Sequence, residues 1–444
     1  MFSLSDMLIS FTTNFFLIFL SPFFWLFSGI VVLLYRRSEK TEKKLFGKAV
    51  NSFWTQTFKS LVLGVLGGFL AAFILVLLGL PINMLGINYI FFVLVILALI
   101  NLRFICFAYA GGVVAVLAVL TGYYVDLFPS AAELPVIEDI LNIYLPGLLI
   151  LVALLHLVES LLIFIGGHWG AGPVFFKDKR GRITGGFSLQ RFWPLPLIIA
   201  WLVPQSESGI ATGESIAMPE WWPILGSGLD QLLGEPYFLA MVSVMAILGY
   251  GDFAYSSTPR EKTVSSSVFL LFYSVILMTM AFATESYPFM LLPACLFAPL
   301  GHEAVVYLGN HLEFSREPRY IAPEEGVKVL DIFHGSPAEE AGLLSEDIIS
   351  QVNGEAVEDT LHFRELVGNI DFPINLTVIR VGNTFNQAIR KKVQNSGRRS
   401  VTSHKAEYFS PLGIILVPDK YVPAYVEINN QSPIKRIRDK LRRR

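Results

Sequence analysis

From residue 1 to about 315 the chain alternates long apolar runs with short polar breaks, and from Arg316 onward the pattern changes to short segments of alternating character. An α-helix needs about 20 apolar residues to cross a bilayer core. On that scale the runs predict about nine spans, at 11–34, 60–80, 86–102, 104–125, 140–165, 192–204, 232–250, 265–283 and 286–310. Two are weak. The stretch 192–204 is short and carries Pro194, Pro196 and Pro204, and Trp221 to Leu233 could lie at headgroup depth. If 191–260 is a re-entrant hairpin, the count falls to seven without changing the side on which the chain emerges. The first 35 residues hold no Lys or Arg, so the opening apolar run reads as a retained span rather than a cleaved leader.

Composition agrees with a membrane protein: 53% of residues are hydrophobic and 16% charged, with a mean hydropathy of +0.56, against about a quarter charged in soluble domains. The net charge of −2 conceals a sorting. Before Arg316 the basic residues fall in four places: Arg36 to Lys59, Arg103, Lys177 to Arg191, and Arg260 to Lys262. The intervening turns carry acids such as Asp126, Glu138, Asp139, Glu214 and Glu285. Basic connections stay on the cytoplasmic side. This places the N-terminus outside and everything after residue 316 in the cytoplasm of a cell with this plasma-membrane protein. Cys106 and Cys295 sit in apolar runs and read as buried small residues. The stretch Gly166 to Gly186 is glycine-rich and basic but lacks the strand-then-helix context of a phosphate loop, so it reads as a structured cytoplasmic loop.

The segment VKVLDIFHGSPAEEAGLLSEDIISQVNGEAV, residues 327–357, predicts a strand, a one-turn helix and a hairpin. Ser336, Pro337 and Glu339 have the spacing of a capped helix start, Gly342 ends it, and Asn353-Gly354 is a two-residue turn. In order and spacing this resembles a bacterial PDZ domain, with one departure: Glu346 stands where a glycine is usual. The resemblance implies a small α+β domain over 316–418, after an α-helical polytopic membrane bundle over 1–315. It also implies peptide capture by strand addition at a sheet edge. Phe363, Leu366, Val367 and Ile370 follow the spacing of the long helix that walls such a groove. The strand that forms the groove edge is not evident before Val327, and the expectation is a permuted order in which residues 410–417 supply it. The candidate peptide-binding residues are therefore Leu412, Gly413, Ile414 and Ile415 on that edge, with His362 and Leu366 on the helix. The tail, 419–444, ends in KRIRDKLRRR, which suits anionic lipid; no nucleic-acid partner is expected.

Inside the membrane, His156, Glu159, His302 and Glu303 form the candidate polar cluster, because ionisable groups at that depth point to function. A zinc protease needs a second histidine four residues after the first. Here His302-Glu303 is followed by Val306, and His311 is too far round the helix. Neither a catalytic set, a metal site nor a cofactor is expected. The plan of many spans plus one cytoplasmic PDZ domain without a protease motif, together with GGFSLQRFWPLPL at 185–197, resembles the MinJ family of Gram-positive bacteria. That resemblance implies a membrane scaffold in division-site placement, with DivIVA-like and MinD-like proteins as partners. Two alternatives stay open: an intramembrane protease of the site-2 type or an inactive relative, and a transporter or sensor with a PDZ regulatory domain.

Overall fold

The computed structural model describes residues 4–178, 180–205, 218–219, 221–225, 236–369, 373–380, 383–389, 412–419 and 425–427. The basic tail 435–444, the loop 392–407 and Glu214 lie outside the described residues.

The amino-terminal part is mostly helical. Its helices are α1 (Leu4–Leu17), α2 (Pro22–Phe46), α3 (Phe53–Leu78), α4 (Ile87–Ile100), α5 (Phe107–Leu127), α6 (Pro135–Leu141), α7 (Leu145–Gly166), α8 (Pro259–Ser286) and α9 (Leu291–Ser315). Among the described residues, α3, α5, α7, α8 and the segment Pro288–Ser315 are long and apolar enough to cross a membrane. A sixth span is possible if α1 and α2, bent by 60° at Ser21–Pro22, count as one. Ser21 caps α2 and Pro22 opens it, so the break is written in the sequence. Helix α7 is the centre of the bundle: every residue from Leu148 to Leu155 is buried, and it packs against α3, α5, α8 and α9.

Two expected spans are corrected. Residues 192–204 and, of 232–250, the described residues 236–250 do not form helices. They lie largely in two long antiparallel strands, β2 (Ile183–Pro204) and β3 (Tyr237–Ala254), paired without interruption from Phe187↔Ala254 to Pro204↔Tyr237. A strand edge surrounded by apolar groups is tolerated only where its polar groups are satisfied. Here α3 lies along the outer edge of β2. Phe192 N donates to Tyr35 Oη at 3.1 Å, and Leu202 N donates to Asn83 Oδ1 at 3.0 Å. Pro194 and Pro196 share the parity of those outward N–H groups and have no N–H to leave unpaired. Gly64 and Gly68 let the helix close on the strand; a Cβ there would stand 2.4 Å and 2.5 Å from the carbonyl oxygens of Pro194 and Pro196. The same prolines that make a poor helix make a finished strand edge. A short strand, β1 (Gly172–Lys177), pairs with the start of β2, so the Gly166–Gly186 stretch contributes a strand pair.

The expected 86–102 span is also shorter than proposed. Helix α4 has 14 residues, about 21 Å at 1.5 Å per residue, short of a bilayer core of about 30 Å.

The carboxy-terminal part is a sheet with two helices. Strands β4 (Val327–Ile332), β5 (Ile348–Val352), β6 (Glu355–Ala356), β7 (Ile374–Arg380), β8 (Asn383–Ile389) and β9 (Ile414–Leu416) form one sheet in the order β8-β7-β5-β4-β9, with β6 on β5. Helices α10 (Pro337–Glu340) and α11 (Thr360–Asn369) complete it. Ser336 Oγ accepts from Glu339 N, and Gly342 has φ +78°. Asn353 (φ 51°) and Gly354 (φ 86°) make the two-residue turn. Glu346, where glycine is usual, adopts φ +75°, which explains the usual preference. The last strand, β10 (Val426–Glu427), runs back to pair in parallel with β1.

The two parts meet at one end of the bundle. Gly185 N donates to Tyr320 O at 2.8 Å, Arg319 N to Tyr255 O at 3.0 Å, and Arg180 and Arg182 pair with Glu317. Three of the four basic places lie at this end, and the acidic turns lie elsewhere, with Tyr144 bonded to Glu285 and Tyr89 to Asp139. Arg103 is the exception. It lies in the short connection between α4 and α5 and is paired with Glu303, near the middle of α9, so that connection sits level with the middle of α9 rather than at the end of the bundle.

Candidate functional site

The predicted intramembrane residues separate into two groups. His156 on α7 and His302 on α9 come together: their rings are 5.1 Å apart. Between them sits Cys106, the residue that caps α5, with Sγ 3.1 Å from His156 Nε2 and 3.8 Å from His302 Nε2. Tyr109 and Tyr273 present ring edges to the imidazoles, and Tyr273 Oη is tied to Ala298 O at 2.7 Å. Glu303 points elsewhere, to Arg103 and to Tyr109 Oη at 2.7 Å. Glu159 is not among the three grouped donors, and His311 stacks on Tyr307 away from them. Sequence reasoning missed Cys106, Arg103 and Tyr109 as members. Cys106 is separated from His156 by 50 residues and from His302 by 196, so no short motif exists to find.

In the carboxy-terminal sheet, β9 is the strand beside β4, with Val329↔Leu416, Asp331↔Ile415 and Ile332↔Ile414. The loop before it is held by backbone bonds: Phe333 N to Gly413 O at 2.9 Å and Ala338 N to Leu412 O at 3.2 Å. Gly413 has φ +82°, and a Cβ there would stand 2.3 Å from Ser336 Cβ, so this close turn requires glycine. Leu412, Ile414 and Leu416 face the domain core with Phe363 and Val367 of α11. Ile415 and Val417 face a second core that contains Tyr320, Leu330 and Phe333 and continues into the bundle. All six residues 412–417 are buried. On α11, Leu366 packs against the core and His362 is partly exposed, its ring within 3.6 Å of Glu355. Asp419 accepts from Thr360 N at 2.8 Å, tying the end of the β9 segment to the start of α11.

With these positions in hand, comparison with known proteins gives two findings. Residues 329–380 match the family model described as PDZ domain. The chain carries a PDZ domain. The chain is also similar to the cell division topological determinant MinJ of Bacillus subtilis (strain 168), 25% identical over 377 residues, 82% of this chain and 87% of that protein. The similarity runs through the bundle as well as the PDZ domain, and the chain is MinJ-like in plan: several helices long and apolar enough to cross a membrane, then a PDZ domain. The model match ends at Arg380, before β9; the edge strand beside the PDZ sheet was found from the turn-then-apolar pattern PLGIIL instead.

Proposed function

We propose that this protein is a membrane-embedded adaptor in division-site placement, holding partner proteins on the cytoplasmic face through its PDZ domain. One observation carries the reading: the PDZ domain is packed on the end of the bundle where the basic connections gather, through Arg319, Glu317 and Tyr320. That supports a cytoplasmic PDZ domain under the positive-inside rule, with the N-terminus outside. The name of the relative, a topological determinant of cell division, supports the process. Partners of the DivIVA-like scaffold and MinD-like ATPase classes belong to the same proposal, as do contacts of the basic tail with anionic lipid.

Peptide capture is assigned to the β9 edge and α11, with Leu412, Gly413, Ile414, His362 and Leu366 on the α11 side and Ile415 on the side that faces the bundle. Because 412–417 are buried, capture there is coupled to opening of that edge. The protease alternative is disfavoured by geometry: Glu303, the neighbour that would serve as base, is committed to Arg103 and Tyr109, and residue 306 is valine. The test is a full chain lacking residues 316–444, expressed in place of the native protein. It should still insert in the membrane while septa form at wrong positions. Correct septum placement by the truncated chain, or protease digestion of residue 350 in intact cells, overturns the proposal.

A further inference from the structure

We propose that Cys106, His156 and His302 are the ligands of a transition-metal ion of the zinc class, held where α5, α7 and α9 meet. The three donor atoms lie within 4.8 Å of one another and come from α7, α9 and the residue that caps α5. In a tetrahedral site with Zn–S of about 2.3 Å and Zn–N of about 2.0–2.1 Å, sulfur and nitrogen stand about 3.5 Å apart. The two sulfur–nitrogen distances here, 3.1 and 3.8 Å, bracket that value.

The orientation of His156 is fixed in the manner of a ligand. Its Nδ1 lies 2.7 Å from the carbonyl oxygen of Val152. A carbonyl only accepts, so Nδ1 carries the proton and Nε2 presents its lone pair toward Cys106 Sγ. His302 likewise brings Nε2 to the sulfur, while its Nδ1 is buried without a hydrogen-bond partner. A purely hydrogen-bonded triad serves these groups poorly, because one thiol proton faces two imidazole nitrogens in an apolar surround. An ion between the three engages both lone pairs and the thiolate together.

The donor set selects the metal. Sulfur and imidazole ligands suit zinc and its neighbours rather than magnesium or calcium. The nearest carboxylate in sequence, Glu303, is withdrawn to Arg103 and Tyr109. Three protein ligands leave a fourth position for water. No reaction is implied; the ion would join the start of α5 to the middle turns of α7 and α9 and so hold the bundle that carries the PDZ domain.

The test uses the full chain, purified in detergent without metal and titrated with cobalt(II). One equivalent should give the thiolate-to-cobalt charge-transfer absorption with the d–d intensity of a tetrahedral site, and zinc should displace it. Cys106→Ser should lose the charge-transfer band. His156→Ala and His302→Ala should each weaken binding at least tenfold, whereas Cys295→Ser should bind as the parent does. Zinc should also raise the melting temperature of the parent, since a ion that binds only the folded state stabilises it, and should leave Cys106→Ser unmoved. A monodisperse parent protein that gives no cobalt absorption, or a folded Cys106→Ser variant that keeps the same band, overturns the site.

Discussion

Two of the hairpins among the described residues are built to opposite specifications. The short one, β5–β6 in the PDZ domain, is closed by Asn353-Gly354, and both turn residues have the positive φ that such a turn demands. Everything that makes it is local. The long one, β2–β3 in the bundle, pairs eighteen residues a side from Phe187 to Pro204 with Tyr237 to Ala254. Its stability comes from what lies outside it: α3 along one edge, with Tyr35, Asn83 and two glycines at the contact. The comparison teaches that a strand in apolar surroundings is made by its neighbours, whereas a strand in the small PDZ sheet is made by its turns.

The most severe way to break that distinction is at α3. Gly68→Ala places a methyl 2.5 Å from Pro196 O, a backbone atom that cannot turn aside. Overpacking costs about 1–3 kcal/mol, occasionally more, and a backbone oxygen that cannot move puts this case at the upper end. The purified chain in detergent should melt markedly earlier, while hydrogen exchange of strands β4, β5 and β7 stays near the parent rate. Equal loss in both regions would show that the PDZ domain depends on the hairpin, contrary to the comparison.

The converse change is Asp347→Ala. Asp347 is buried, pairs with Arg380 through both carboxylate oxygens at 2.6 Å, and accepts Leu344 N at 2.8 Å. Breaking a buried pair costs 3–5 kcal/mol. The Arg380 side chain is 34% exposed, so the expected loss is about 2 kcal/mol, roughly a 30-fold faster exchange in β4, β5 and β7. The bundle should not respond.

The same contrast explains what could be read from the chain. The PDZ elements were legible because Ser336, Gly342 and Asn353-Gly354 each dictate their own backbone. Even Glu346 was visible as an oddity, though its left-handed conformation was not. The strand 414–416 was legible as a returning edge because Gly413 breaks the chain just before an apolar triplet. In the bundle, the spans at α3, α5, α7, α8 and α9 followed from length and hydropathy. The hairpin did not, since β2 is apolar on both faces and shows no alternation. Its one local signal was the alternate prolines, Pro194 and Pro196, which weakened the helix without naming the strand. The metal-ligand grouping was illegible for a different reason: its members are brought together only by the crossing of three helices. Arg103 misled because charge sorting presumes a solvated arginine, and this one is neutralised by Glu303.

Where the two regions touch, pH should tell them apart. Asp331 lines a cavity of about 470 Å3 at the junction with His168, His334 and Glu346. Burial, with a smaller contribution from the charge of Glu42, pushes its carboxyl up to about 7 despite a hydrogen bond from Ile332 N that favours the anion. A carboxyl raised above its unfolded value contributes stability that is complete below about 4 and lost as pH rises through 7. The junction should therefore loosen between about pH 4 and 7, seen as faster exchange of residues 327–333. Asp331→Asn should flatten that dependence; an unchanged slope would place the pH response elsewhere.

The smallest effect is expected from Glu346→Gly, and three contributions decide its sign. Relieving the left-handed conformation of a non-glycine residue gains about 1–2 kcal/mol. Glycine gives back up to about 1 kcal/mol in chain entropy. The pair with Arg319 at 2.9 Å, partly exposed on both sides, is worth about 0.5 kcal/mol or less. The balance is a gain of roughly 0.5 kcal/mol within the PDZ domain, about a twofold slowing of exchange in β4 and β5. At the junction the same variant loses a tie to the linker, so exchange at 316–320 should quicken. Slowing in the strands with quickening in the linker would show that this residue exchanges stability of the domain for attachment to the bundle. Slowing in both would show that Arg319 contributes nothing to holding them together.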